Sequence, residues 1–211
     1  MISVALTGEA DVSGVVYRRG AKPGDYLCVT GHLGASLAGL KILQREKARF
    51  RKEGNDGDFK PNLTTYTRAL ERHLMPMPRL DLSKMMMQEV KVHAMIDISD
   101  GLASEVHHLC SVGGVGAAVY EHNIPVDAIT QQIAGEFSES PVDYALYGGE
   151  DYELLFAIDE EQYGKLEGLT NDVSIVGRIA EREKGIELVR ENGVPEALTF
   201  EGWNHFRRGP S

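Results

Sequence analysis

The chain of 211 residues has a formal net charge of -10, with 42% hydrophobic and 26% charged residues. That balance allows a sizeable core and repels nucleic acid and anionic membrane surfaces, so neither is expected as a partner. Cys28 and Cys110 form no CxxC pair, no apolar run nears the ~18 residues that span a bilayer, and Met1 to Leu6 has no basic region of a signal peptide, which together point to the cytoplasm.

Residues Ile2 to Leu6 are rich in β-formers and read as a strand ending at Gly8, followed by a polar linker over Glu9 to Gly14. Tyr26 to Thr30 is a compact apolar run after the turn Lys22-Pro23-Gly24-Asp25 and predicts a buried strand. Gly31 to Gly34 turns the chain into a helix with Leu37, Leu40, Ile42 and Leu43 on its apolar side as far as about Gln44. Arg45 to Lys60 reads as an exposed helix extension and loop. Tyr66, Ala69, Leu70 and Leu74 mark a second helix, stopped by Pro76 and Pro78. Leu82, Met85, Met86 and Val90 mark a third, with the methionines as core filler.

Ala94 to Ile98 predicts a strand. Gly101 to Val112 predicts a helix with Leu102, Val106, Leu109 and Cys110 inward, ended by Gly113-Gly114. Val115 to Tyr120 is a strand, and Asp127 caps a helix over Ala128 to Phe137. A short helix around Val142 to Tyr147 leads to a strong strand over Tyr152 to Ile158. Glu160 to Leu166 is helical and Val173 to Ile179 extended. Ile186 to Arg190, the turn Glu191-Asn192-Gly193 and Ala197 to Phe200 form a hairpin. Strands that alternate with helices but close on a hairpin imply an α/β (α+β) fold with a mixed β-sheet.

The densest chemical signal is Met95-Ile96-Asp97-Ile98-Ser99-Asp100-Gly101-Leu102. Asp97 and Asp100 flank a strand-to-helix junction, and Gly101 permits a tight turn. Two carboxylates and a hydroxyl at a strand end could face one pocket; Ser99 or Asp100 could equally cap the helix. A cap leaves Asp97 unexplained, since a carboxylate within an apolar strand requires a cation or donors. The second signal is Tyr147-Gly148-Gly149-Glu150-Asp151-Tyr152-Glu153, three acids within four residues before an apolar strand, read either as a ligand loop or as a polar turn. Arg18-Arg19-Gly20-Ala21-Lys22 offers guanidinium to phosphate or is a solvated basic turn. Thr30 to Ser36 opens a helix, and helix N-termini attract anions. The histidines form no ligand set, no Ser–His or Cys–His pair is apparent, and Trp203 either anchors the tail or stacks on a flat ring.

Taken in order, the Arg-x-Gly-Ala-Lys-Pro-Gly-Asp turn, Thr-Gly-x-Leu-Gly, Asp-Ile-Ser-Asp-Gly-Leu, Gly-Gly-Glu-Asp-Tyr-Glu-Leu-Leu-Phe and the terminal Gly-Trp-Asn-His-Phe resemble the thiamine-monophosphate kinases, over residues 8 to 206. These enzymes sit in the aminoimidazole ribonucleotide synthetase-like superfamily. The resemblance implies transfer of the ATP γ-phosphoryl to thiamine monophosphate, giving thiamine diphosphate and ADP, with Mg²⁺ as cofactor and no covalent catalytic residue. It implies Asp97 and Asp100 as metal ligands, Ser99 and Arg18 as ATP contacts, and Glu150 and Trp203 as contacts to the thiamine moiety. It also implies a homodimer for the full-length protein.

Two departures from the family pattern matter. The family's long N-terminal domain has no counterpart ahead of Ile2. Residues 1–14 are therefore expected to be its last strand and a linker, 15–206 the C-terminal synthetase-like domain and 207–211 a tail, and the polypeptide alone is expected to be inactive. The helix opening reads Leu-Gly-Ala-Ser where the family has Leu-Gly-Asp-Ser, so no metal role falls near Ala35. Another ATP-binding enzyme of the superfamily, or a non-catalytic nucleotide- or metabolite-binding module, is the alternative.

Overall fold

A seven-stranded mixed sheet organises the chain, seen in a computed structural model that describes residues 3–10, 14–53 and 59–199. In chain order the elements are β1 (Tyr26–Thr30), α1 (Ala35–Glu53), α2 (Thr67–Leu74), α3 (Leu80–Glu89), β2 (Ala94–Ile98), α4 (Leu102–Gly113) and β3 (Gly116–Tyr120). Then come α5 (Ala128–Phe137), α6 (Pro141–Tyr147), β4 (Glu153–Ile158), α7 (Glu160–Glu167), β5 (Val173–Ala180), β6 (Ile186–Val189) and β7 (Pro195–Ala197). The strand order is β2-β4-β1-β5-β3-β6-β7. Every pairing is antiparallel except β3 with β6.

Side chains alternate across a strand, so each strand feeds both faces. Leu27 and Val29 of β1 and Leu155 and Ala157 of β4 pack with Leu102, Val106 and Leu109 of α4 and Leu146 of α6. Their neighbours Cys28, Phe156 and Ile158 turn the other way, onto Met86 of α3 and Leu166 of α7. A further layer joins α1, α2 and α5 through Ala38, Ile42, Ala69, Leu70 and Ile133. The methionine run thus fills core: Met86 is fully buried against Phe156's cluster.

Local chemistry sets several boundaries. The Asp127 carboxylate accepts the Thr130 N–H at 2.9 Å and starts α5. Gly114 takes a left-handed φ of 68° and ends α4. Two boundaries differ from the sequence reading. Residues 3–10 form no strand and leave Val4 and Leu6 exposed; β-propensity without a neighbouring strand leaves the backbone nothing to pair with. The helical extension expected beyond Gln44 is present and runs to Glu53, where Glu46 accepts from Arg45, Arg49 and the Asn62 N–H and carries the helix past its apolar stripe. The last strand starts at Pro195 instead of Ala197, since the Arg190–Gly193 turn closes and pairing resumes two residues later.

Candidate functional site

The β2–α4 junction and the α6–β4 loop are stitched together. The Glu150 N–H donates to the Ser99 carbonyl and the Tyr152 N–H to the Ile98 carbonyl, each at 2.8 Å. Gly101 has φ 104°, which turns the chain from β2 into α4 where a side chain would meet the Leu146 carbonyl. A Cβ on Gly149 would stand 2.7 Å from the Ser99 carbonyl oxygen, so glycine is what lets the two segments touch. Beside this seam lies a cavity of about 270 Å³. Ser99, Asp100, Gly149 and Glu150 line it, together with Ser36, Leu37, Leu40, His73 and Tyr147.

The two densest motifs of the sequence therefore meet, and Asp100, Ser99 and Glu150 share one opening. Asp97 does not line it. Its side chain falls on the Met95 face of β2, is exposed, and lies on an edge strand of the sheet. The expectation that Asp97 requires a cation to offset burial is corrected by this: water solvates the carboxylate at the sheet edge. Asp97 nonetheless belongs to the same electrostatic neighbourhood, because it and Asp100 both help hold the Tyr152 hydroxyl proton. Arg18 is exposed on the segment that runs beside β2, where the Tyr17 carbonyl accepts the Met95 N–H at 3.0 Å, and it is not part of the cavity wall. Trp203 lies outside the described residues.

The three clustered acids have three separate fates. Glu150 is exposed at the cavity. Asp151, 2% exposed, reaches the start of α1 and accepts the N–H groups of Gly34 at 2.6 Å and Ser36 at 3.3 Å. It is the anion that this helix N-terminus was expected to attract, supplied by the protein itself. Glu153 is fully buried; it bonds to Arg72, to Arg79 Nε at 2.5 Å and to the Thr30 hydroxyl at 2.6 Å. Asp151 and Glu153 thus serve the scaffold under the cavity.

Burial pushes the Asp151 carboxyl from 3.8 up to about 7, against the opposing pull of the two N–H groups and Arg72. The folded chain therefore keeps this proton to a higher pH than the unfolded chain. The stability this confers is fully present below 3.8 and is lost as pH rises through about 7. Replacing Asp151 with asparagine should flatten that part of the profile. Urea unfolding between pH 5 and pH 8 checks it: the wild type should lose of the order of 3 kcal/mol more than the variant, which keeps only the loss due to Glu105, also raised to about 7; parallel profiles would refute the burial argument.

Two features of the site escaped the sequence reading. Glu105, 2% exposed in the first turn of α4, accepts the Asp100 N–H at 3.2 Å, and its Oε2 is buried without a partner. Burial pushes its carboxyl up to about 7. Its spacing was a usable signal: Glu105 falls three residues after Leu102 and four before Leu109, on the inward face of the helix. The second is a Ser–His contact. Ser36 Oγ and His73 Nδ1 are 3.0 Å apart on the cavity wall, which corrects the expectation that no such pair exists. Their separation of 37 residues hid it.

Among the described residues no helix is long and apolar enough to cross a membrane. Over 205 residues the chain is 33% identical to a thiamine-monophosphate kinase of Aquifex aeolicus, covering 97% of this chain and 58% of that protein. A Salmonella typhimurium thiamine-monophosphate kinase is 31% identical over 210 residues, covering 97% and 59%. The chain thus spans a little under three fifths of the length of these relatives. A solved structure described as AaThiL complexed with AMPPCP and TMP superposes with a TM-score of 0.72 at 31% identity, covering 90% of this chain and 54% of that one. Residues 22–190 match the family described as AIR synthase related protein, C-terminal domain, a span that takes in β1 to β6, the helices and the seam at the strand ends: the chain belongs to this family.

Proposed function

We propose that this chain supplies part of the active site of a thiamine-monophosphate kinase, which moves the γ-phosphoryl of ATP to thiamine monophosphate. The observation that carries the reading is the shared cavity of Ser99, Asp100 and Glu150, built from the two motifs that most resemble that family. The similarity to the Aquifex aeolicus kinase and to a structure holding AMPPCP and TMP supports the same substrates.

Magnesium fits the residues present. Mg²⁺ is ordinarily held by one or two carboxylates together with water and phosphate oxygens, not by a closed protein cage. Asp97 and Asp100 are two exposed carboxylates. Among the described residues no group of three His, Cys, Asp or Glu is arranged to hold a metal by itself. Asp97 and Asp100 would hold the ion, which when bound offsets the charge of the phosphates. The Ser99 hydroxyl donates to Glu105 Oε1 over a long 3.5 Å, a weak bond that it can exchange for one to a phosphate oxygen. Arg18, exposed beside β2, gives a guanidinium to the same polyphosphate. Glu150 gives a carboxylate to the cationic ring of the acceptor. Transfer between two anions depends on positioning and charge cancellation, so these residues hold and orient, and the acceptor phosphate oxygen is the nucleophile.

Calorimetric titration of the chain separates this from another activity of the superfamily. Thiamine monophosphate is expected to bind, and to bind more tightly than aminoimidazole ribonucleotide precursors. Equal or reversed preference would sink the kinase reading. Ligand binding by a non-catalytic module is the second reading; since this chain supplies only part of the active site, ADP release with thiamine monophosphate as acceptor is measured on the full-length protein, and turnover there counts against that reading.

A further inference from the structure

We propose that Tyr152 is a positioning residue for the acceptor end of the cavity, fixing one oxygen of Glu150 so that the other is aimed at the substrate. This rests on the reading of Glu150 as the contact to the acceptor's cationic ring.

The backbone first shows that the arrangement is built. Glu150 and Tyr152 both adopt left-handed φ, 69° and 53°. Neither is glycine, and such angles are uncommon for residues with a Cβ. They persist where the surroundings leave no alternative. Here the surroundings are specific. Glu150 and Tyr152 are each tied by their N–H to the β2–α4 junction, and Asp151 between them is locked under α1. This alternation sends Asp151 inward and brings the side chains of Glu150 and Tyr152 together outside. Their contact follows: the Tyr152 hydroxyl donates to Glu150 Oε2 at 2.8 Å.

The electrostatics then keep the hydroxyl a donor. The hydrogen bond to Glu150 raises the Tyr152 pKa, partial burial adds to this, and the charges of Glu150, Asp97 and Asp100 add more. The phenol therefore holds its proton more tightly than an ordinary tyrosine. One neutral donor thus stands within the field of the two candidate metal ligands and the candidate substrate carboxylate. A free glutamate samples several rotamers at a surface. With Oε2 engaged, Glu150 offers Oε1 in a restricted direction, and a ligand that uses it loses less freedom on binding.

Removing the hydroxyl leaves the fold alone, because the bond it makes is solvent-exposed. Tyr152→Phe should therefore unfold at the wild-type temperature within about a degree. By calorimetry on the full chain it should bind thiamine monophosphate about 10-fold more weakly, while Mg²⁺–AMPPCP affinity stays within about twofold. A general structural role would weaken both ligands together. The double variant Tyr152→Phe with Glu150→Ala sharpens the test. If tyrosine acts through Glu150, its loss in the Glu150→Ala background changes nothing further. Wild-type affinity in Tyr152→Phe, equal weakening of both ligands, or additivity in the double variant would each overturn the inference and leave the function standing. No binding of thiamine monophosphate by the wild type would overturn both.

Discussion

Replacing Glu153 with alanine is expected to destabilise the protein by about 3–5 kcal/mol, the usual cost of removing one partner from a buried ion network. Glu153 is fully buried, and Arg72 and Arg79 both bond to it. Without it, Arg72 loses its carboxylate and Arg79 keeps only Asp172, at 2.8 Å. The Thr30 hydroxyl, which also donates to Glu153 and accepts the Leu154 N–H, loses its acceptor between β1 and β4. A chain of this size shifts by roughly 2–4 °C per kcal/mol, so melting should fall by about 10 °C. Guanidinium unfolding measures it; a loss below about 1 kcal/mol would mean that water reaches the arginines and the network is not sealed. Glu153→Gln should be costly as well, since both carboxylate oxygens accept hydrogen bonds and the amide turns one of them into an NH₂ that faces donors while giving up the charge.

Changing both Asp97 and Asp100 to asparagine is expected to weaken Mg²⁺–AMPPCP by at least about 100-fold, or about 2.7 kcal/mol. Both side chains are exposed, so neither change disturbs the core, and unfolding should be almost untouched. The diagnostic is the magnesium dependence. Wild-type affinity should rise steeply as Mg²⁺ is added, and the variant's should stay flat. If the variant still responds to Mg²⁺ like the wild type, the two carboxylates do not hold the ion. The two experiments separate cleanly, because Glu153 acts on folding and the pair at the β2–α4 junction acts on ligand.

What could be read beforehand follows the range of the interactions involved. The Asp127 cap joins residues three apart, and the helix it starts was legible to the residue. β1 and β2 were legible because short apolar runs between turn signals need only their own pattern. The acids of the α6–β4 loop looked like one cluster because their partners lie far off in sequence. Asp151 meets Gly34 across 117 residues and Glu153 meets Thr30 across 123. No local rule distinguishes a carboxylate that will cap a distant helix from one that will face a cavity. Asp97 misled for a related reason. An apolar run suggests burial on both sides, but β2 ends up at the edge of the sheet, where one side chain in two can meet water.

The place of β1 in the sheet also bears on how the molecule is made. It is the third strand in space, flanked by β4 and β5, and both of those begin after residue 152. A nascent chain emerging from the ribosome therefore holds β1 without either neighbour until the 123 residues that separate Thr30 from Glu153, the first residue of β4, have been added. The cavity waits equally long, since its floor comes from the loop just before β4. Sheet closure at such large sequence separation is slow, and the apolar strand stays unpaired meanwhile, so this sheet is completed late in synthesis and is open to mispairing until then.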